Sequence, residues 1–390
     1  MMIEEVKRNL CDQIRPFWKG LIDKKNGGYY GQVDFELNIH EDAPKGVILN
    51  SRILWFFSNS FLTLQEEEDL VCANWAYDYL MNNCLDKIYG GVYWSTNSDG
   101  TIMDSTKHTY NQAFSVYALS SYYAATGKKE AIETAIDIFK LIEEKCRDDI
   151  GYLEAFDEQF NPIKNDKLSE NGVIADKTMN TLLHVFEAYT ELYRVTNLSE
   201  VKDKLEWIID VFSNKVYNKE KKRQEVFFDK DMNSILDLHS YGHDIETAWS
   251  LDRGLEVLDN DELTKKMEEI TRILTKEIYD VAYVDHSVLN ECEDGVDNEN
   301  RIWWVQAEAI VGFINGFQKD NNKTEYLEAA KDIWEYCKEY IIDKRPGGEW
   351  FWEVDKNGQP TSRKDIVEPW KCPYHNGRFC FEIIRRNIDA

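Results

Sequence analysis

Basic side chains are scarce in this 390-residue chain: 46 Lys and Arg stand against 72 Asp and Glu, a formal net charge of −26. Such a field repels phosphate backbones and anionic headgroups, which argues against nucleic acid and membrane surfaces as partners. Long hydrophobic runs are missing as well. The apolar stretches at 47–49 and 53–57 fall far short of the ~18 to 20 residues that span a bilayer, so no transmembrane segment is expected. The opening residues, MMIEEVKR, enter a charged amphipathic pattern with no apolar stretch or small-residue cleavage site. No secretory signal is therefore expected, and the cytoplasm is the expected location. The eight cysteines include no CxxC pair and read as reduced core thiols. Also absent are HExxH, a phosphate loop, GxGxxG after a strand and a serine-nucleophile motif.

Aromatic residues are what the chain has in quantity: 12 Trp, 21 Tyr and 18 Phe. With 43 % hydrophobic residues there is enough apolar matter for a large core, which excludes disorder despite the charge. Tryptophans near polar clusters also suit stacking on sugar faces. A short aromatic alternation, mostly opened by glycine and closed by Asp or Asn, recurs at 27–34, 90–97, 151–157, 225–229, 281–285 and 347–355. Six copies in 390 residues give a mean period of 65. Period-2 aromatics bounded by such turns read as β-hairpins.

Two segments of helical period lie between consecutive hairpins, about twelve helices in all. Those before a hairpin (66–83, 128–148, 199–215, 262–279, 323–343) are charged and amphipathic. Those after one (47–64, 109–126, 179–192, 245–258, 302–317, 378–384) are nearly uncharged over long stretches. A charged stripe requires water, and an apolar circumference requires burial all round. The expectation is an all-α (α/α)6 barrel, a toroid with an inner and an outer ring of helices and short β-hairpins in the connecting loops. It spans residues 1–390 as a single domain, with an open solenoid as the structural alternative.

The inner helices should all begin at one end of such a barrel, and their first turns carry polar residues: Arg52; Tyr110 and Asn111; Asn180 and His184; His243, Glu246 and Trp249; Trp303, Trp304 and Glu308; Trp370 and His375. Buried polar groups are costly unless paired or facing a wet cavity, so six convergent sets point to a site. Three of the seven histidines belong to it. The others, His40, His108, His239 and His286, read as surface or loop-packing residues. The three-residue spacing of His243 and Glu246 suggests a base with a carboxylate orienter. Three histidines with a glutamate could also be a metal set, but no close His spacing supports one, and no metal or other cofactor is expected. Imidazole suits removal and return of a proton at neutral pH. Proton transfer beside a carbonyl, with Arg52 and a third imidazole stabilising the enediolate, fits the set, and two bases on opposite faces of the planar carbon would invert it.

Five stretches carry a resemblance: APKGVILNSRILW at 43–55, DKTMNTLLH at 176–184, YGHDIETAW at 241–249, WWVQAE at 303–308 and PYHN at 373–376. Together they resemble the cellobiose 2-epimerases of the N-acylglucosamine 2-epimerase superfamily, over essentially the whole chain. The resemblance implies an (α/α)6 barrel and metal-independent, reversible epimerisation at carbon 2 of the reducing-end glucose of β-1,4-linked disaccharides. Cellobiose would give glucosyl-mannose, and lactose would give epilactose. It implies His243 and His375 as acid/base residues flanking carbon 2, with His184 assisting ring opening and steadying the enediolate. Arg52 would bind the oxyanion and Glu246 would orient His243. Tyr110, Asn180, Trp304 and Glu308 would bind the reducing-end sugar and Trp370 would stack on the second sugar. Trp303 and Trp249 are assigned to the cavity wall, Trp249 equally to core packing.

Rival readings have distinct signatures. Glu246 and Glu308 could serve an inverting glycoside hydrolase, whose carboxylates stand roughly 6.5–9.5 Å apart, although three imidazoles would then have no work. An aldose–ketose isomerase, an acylamino-sugar epimerase and a non-catalytic sugar-binding module are the others. Residues 294–301, acidic and turn-rich, read as a mobile loop over the site or as a solvated charge run. The charged outer helices show no contiguous apolar patch, so a monomer is expected.

Overall fold

A helix apolar around its whole circumference is stable only inside a ring of other helices, and six segments meet that condition. The computed structural model describes residues 2–167, 172–320, 322–361 and 363–388. Among them the chain begins with α1 (Met2–Asn9, carried on through a π turn at Leu10–Ile14 and a last piece at Arg15–Lys19). Next come α2 (Val47–Leu64) and α3 (Glu67–Tyr79), then α4 (Thr109–Thr126) and α5 (Lys129–Leu141). The third and fourth pairs are α6 (Met179–Thr196) with α7 (Ser199–Val211) and α8 (Tyr241–Leu258) with α9 (Asp261–Val281). The chain finishes with α10 (Trp303–Lys319), α11 (Thr324–Tyr336) and α12 (Tyr374–Arg386).

The even-numbered helices form the inner ring. Each packs on the next, and α12 packs back on α2, so the ring is closed and the open solenoid is excluded. In α2 every residue from Val47 to Ser60 is buried. The sixth outer helix is α1, which packs on α12 and joins the two ends of the chain. Local chemistry sets the boundaries. The Thr178 side chain accepts from the Thr181 N–H at 3.0 Å to start α6. Left-handed residues, Gln65, Gly127, Asn197, Asp259 and Asn387, terminate α2, α4, α6, α8 and α12.

The aromatic hairpins pair in a way their spacing does not reveal. Each bridges back to the end of its own outer helix, as Leu85 does with Val92 and Ile342 with Trp350. Each also pairs antiparallel with the strand leading into the preceding inner helix. Gly46 stands opposite Ser95, His108 opposite Ala155, Thr178 opposite Phe227, Ser240 opposite Glu291 and Ile302 opposite Glu353. A Val33–Val367 bridge completes the circle. This girdle fixes the first turns of all six inner helices around one mouth. Ion pairs at 2.5–2.7 Å tie it down: Lys45 to Asp23, Lys107 to Asp86 and Lys371 to Glu349, all buried, and Lys177 to the partly exposed Asp148. Of residues 294–301, those to Asn298 belong to a hairpin, Glu291–Glu293 with Val296–Asn298, which pairs with Leu238–Ser240, and Arg301 belongs to the girdle strand opposite Val354.

Candidate active site

Because the girdle holds the inner-helix N-termini at one end, the polar residues of their first turns converge. A cavity of about 370 Å³ opens there, within the ~300–1,000 Å³ range of small-molecule sites. Its walls include Arg52, Tyr110, Asn180, His184, His243, Trp303, Trp304, Trp370 and His375, nine of the twelve residues expected from the sequence. Glu246, Trp249 and Glu308 do not reach it and stand behind the imidazoles. A larger open groove of about 880 Å³ lies on the outer face between α1 and residues 334–348 and contains no histidine.

Each imidazole in the cavity is held through Nδ1. His184 Nδ1 lies 2.6 Å from Glu187 Oε2, and His375 Nδ1 lies 2.7 Å from Glu308 Oε1. His243 Nδ1 lies 2.7 Å from Ser240 Oγ. The expected pairing of Glu246 with His243 is not formed. Glu246 turns away to accept from Arg378 and comes no nearer an imidazole than 4.0 Å, at His375. The reason is charge: Arg378 lies among Glu187, Glu246 and Glu308 and draws all three carboxylates to itself. Glu308, expected to bind the reducing-end sugar, instead holds His375 from behind and does not line the cavity. Trp249 backs it, its Nε1 donating to Glu308 Oε2 at 3.0 Å. With Nδ1 engaged, Nε2 of each ring is left to face the cavity, with no protein hydrogen bond among the described residues.

Trp304 connects the two outer imidazoles, its ring centroid 4.7 Å from that of His243 and 5.4 Å from that of His375. Arg52 is buried, donates to the Tyr110 hydroxyl at 2.6 Å and to the Trp370 carbonyl at 3.2 Å, and lies over the Phe114 ring at 4.3 Å. Among the described residues no carboxylate forms an ion pair with it, so its charge is available to an oxyanion. Lys167, the other cation lining the cavity, is paired with Asp104 at 3.2 Å. Asn180 Oδ1 is buried without a partner, as a group awaiting a hydroxyl would be. Trp303 packs on Trp352 at 4.8 Å, and Trp370 lies between Tyr110 and Trp94, 5.8 Å from each.

Burial holds the His243 imidazole down at about 3, helped by His184, and holds His184 at about 4 against the pull of Glu187. Burial, with Arg378 and Arg52, also keeps His375 well below the usual range. All three rings are therefore neutral at pH 7, which is the state a base needs. Burial pushes Glu246 and Glu308 upward against Arg378, whereas Arg378 and His184 hold Glu187 low in spite of its burial.

Two sets of groups are close enough to share a cation, His184 with Glu187 and Glu246, and Glu246 with Glu308 and His375. Both contain carboxylates already gathered on the Arg378 guanidinium, which supplies the positive charge there. Sequence reasoning missed Glu187, Ser240, Tyr374 and Arg378. Glu187 repeats the three-residue spacing that singled out Glu246, and Arg378 stands three residues after His375, so both carried a legible signal. Ser240 precedes α8 and carried none. His108 and His239 are buried in the girdle, His239 bound to Asp244 at 2.9 Å, whereas His40 and His286 are exposed.

The sequence matches the N-acylglucosamine 2-epimerase (GlcNAc 2-epimerase) family over residues 28–376. It is 48 % identical to a cellobiose 2-epimerase of Ruminococcus albus over the full length of both chains. Among solved structures, a sugar epimerase from a ruminal bacterium superposes with a TM-score of 0.98 at 48 % identity over the whole of both chains. The cellobiose 2-epimerase of Bacillus thermoamylovorans B4167 gives 0.95 at 44 % identity, covering 98 % of this chain and 99 % of that one.

Proposed function

Since the chain belongs to the N-acylglucosamine 2-epimerase family and is a carbohydrate epimerase, we propose that it reversibly epimerises carbon 2 of the reducing-end glucose of β-1,4-linked disaccharides, interconverting cellobiose with glucosyl-mannose and lactose with epilactose. The observation that carries this reading is that His243 and His375 both pack against the Trp304 ring, each held by Nδ1 and lining one cavity. A disaccharide would lie with its reducing end against Tyr110, Asn180 and Trp304 and its second sugar on Trp370.

In the mechanism we propose, His184 moves a proton as the ring opens to the aldehyde. One of His243 and His375 removes the carbon-2 proton through Nε2, giving an enediolate; the other takes a proton from water at its Nε2 and delivers it to the opposite face of carbon 2, and the first ring then releases its proton to water. The carbonyl at carbon 1 makes that proton acidic only if the developing oxygen charge is stabilised. Arg52, lacking a carboxylate, and the Tyr110 hydroxyl can do so, and the inner-helix N-termini add positive potential at the same end. The charge that the mechanism requires comes from Arg52 and Arg378, so we assign no metal and no cofactor, and residues 1–390 act as one catalytic domain. We further place the enzyme in the cytoplasm as a monomer; its eight unpaired cysteines, six of them buried, suit a reducing compartment. No described helix is long and apolar enough to cross a membrane.

Incubation with cellobiose in deuterated water tests the proposal. Deuterium at carbon 2 of glucosyl-mannose with the glycosidic bond intact is expected. Free glucose would indicate hydrolysis, a ketose product would indicate isomerisation, and exchange with N-acetylglucosamine in preference to cellobiose would indicate an acylamino-sugar enzyme. Any of these three as the main outcome overturns the reading.

A further inference from the structure

Behind the imidazoles a buried guanidinium gathers three carboxylates. Arg378 is 2 % exposed. Its Nη1 donates to Glu187 Oε1 and to the Tyr374 hydroxyl, and its Nη2 donates to Glu246 Oε1 and, at 2.7 Å, to Glu308 Oε1. The rings of Trp249 and Tyr374 enclose it, with centroids 4.9 and 4.4 Å away. Two of its carboxylates are the ones that hold imidazoles, Glu187 for His184 and Glu308 for His375. The two rings, one on α6 and one on α12, thus hang from the same cation, whereas His243 hangs from Ser240 and stands outside the network.

We propose that Arg378 is a positioning residue for the epimerisation, which clamps Glu187 and Glu308 so that His184 and His375 are both held with Nδ1 protonated and Nε2 bare toward the cavity. The proposal rests on the three-imidazole reading of the site. A planar fork can hold carboxylates on two edges at once, which a lysine ammonium cannot. Three carboxylates around one guanidinium leave an excess of negative charge. Burial and its two acidic neighbours push the Glu246 carboxyl upward, the direction that eases this excess. The same cation repels a second proton from the rings, adding to burial in keeping His375 neutral.

The titratable groups around this core come from every inner helix. Arg52 faces it from α2, Tyr110 and Tyr117 from α4, and His184 and Glu187 from α6. His243 and Glu246 lie on α8, Glu308 on α10, and Tyr374 and His375 on the helix of Arg378 itself.

The test is the pH dependence of kcat/KM for cellobiose in Arg378→Gln and Arg378→Lys. We expect kcat to fall about tenfold or more, with KM nearly unchanged because Arg378 does not line the cavity. The acid limb should move up by about one pH unit in Arg378→Gln, with partial recovery in Arg378→Lys. Loss of activity in step with loss of folded protein, on an unmoved acid limb, overturns the proposal. Histidine nitrogen NMR on the native enzyme serves where the variants do not fold. Neutral Nδ1–H tautomers of His184 and His375 at pH 7 are expected, and an imidazolium or an Nε2–H tautomer at either overturns it. Deuterium incorporation by the native enzyme separates the two levels: without it the functional reading fails, and with it an unmoved acid limb removes only the role of Arg378.

Discussion

Ser240 Oγ stands 2.7 Å from Nδ1 of His243, in the place that a carboxylate occupies beside His184 and His375. A hydroxyl fixes the direction of a ring without bringing negative charge. A proton taken up by His375 therefore meets Glu308, and one taken up by His243 meets no anion, so the proposed mechanism makes the two imidazoles unequal as bases. Ser240→Ala should lower kcat about tenfold, through the half-reaction in which His243 is the base. Single-turnover exchange from each epimer measures this, and equal loss from both epimers would contradict the assignment.

Removing one base leaves the other. His243→Asn and His375→Asn should each lose epimerisation by ~10²-fold or more. Each should still exchange the carbon-2 hydrogen of one epimer with deuterated water, the two variants choosing opposite epimers. NMR of cellobiose and glucosyl-mannose incubated separately decides it. If either variant exchanges both epimers equally, one imidazole serves both faces.

A Cβ on Gly242 would stand 2.5 Å from the Trp304 ring and 2.7 Å from Val305 Cγ2. Gly242→Ala should therefore push Trp304 from its place against His243 and His375. The expected result is a kcat loss of about tenfold or more, since small misplacement of catalytic groups is costly, while the thermal midpoint falls by only a few degrees. Unchanged kcat would show that the position of Trp304 does not govern the reaction.

Glu154 is fully buried between the Thr178 and Thr181 hydroxyls, which donate to it at 2.9 and 2.7 Å, and burial raises its carboxyl to about 7. A folded value above the unfolded one means stability that is complete below the unfolded value and is lost as pH rises through about 7. Glu154→Gln keeps a neutral acceptor at that place. It should match the native enzyme in thermal midpoint near pH 5 and exceed it at pH 8. A constant difference across that range would refute the coupling.

Lys107 and Asp86 form a salt bridge of 2.7 Å with both side chains out of water. Lys107→Met strands a buried carboxylate and should cost about 3–5 kcal/mol in denaturant unfolding, much of it recovered when Asp86 is also made apolar. A loss under about 1 kcal/mol would mean that the girdle is held by its strand pairs alone.

Hydropathy period located α2 and α4 to the residue because both start at a girdle strand and stop at a left-handed residue that nothing apolar follows. It recovered only residues 378–384 of α12, whose first turn holds His375 and Asn376 and whose last turn ends in two arginines. His375 and Asn376 are buried because Glu308 and Glu349 meet them from within the barrel, and Arg386 is half-buried against Glu382 of its own helix. The same limit explains Glu246. A three-residue spacing puts a carboxylate within reach of an imidazole, but the larger attraction of a guanidinium 132 residues further on turned it elsewhere.

The order of charged and uncharged helices was enough to determine the inner and outer members and the end at which the polar first turns gather, because burial follows from the composition of each segment taken alone, whereas closure of the ring awaited the packing of α12 on α2. The tertiary structure decided which glutamate serves which histidine, that a serine serves the third, and that one arginine lies behind two of them. Those choices are made by hydrogen bonds and charges between helices far apart in the chain, and no local pattern records them.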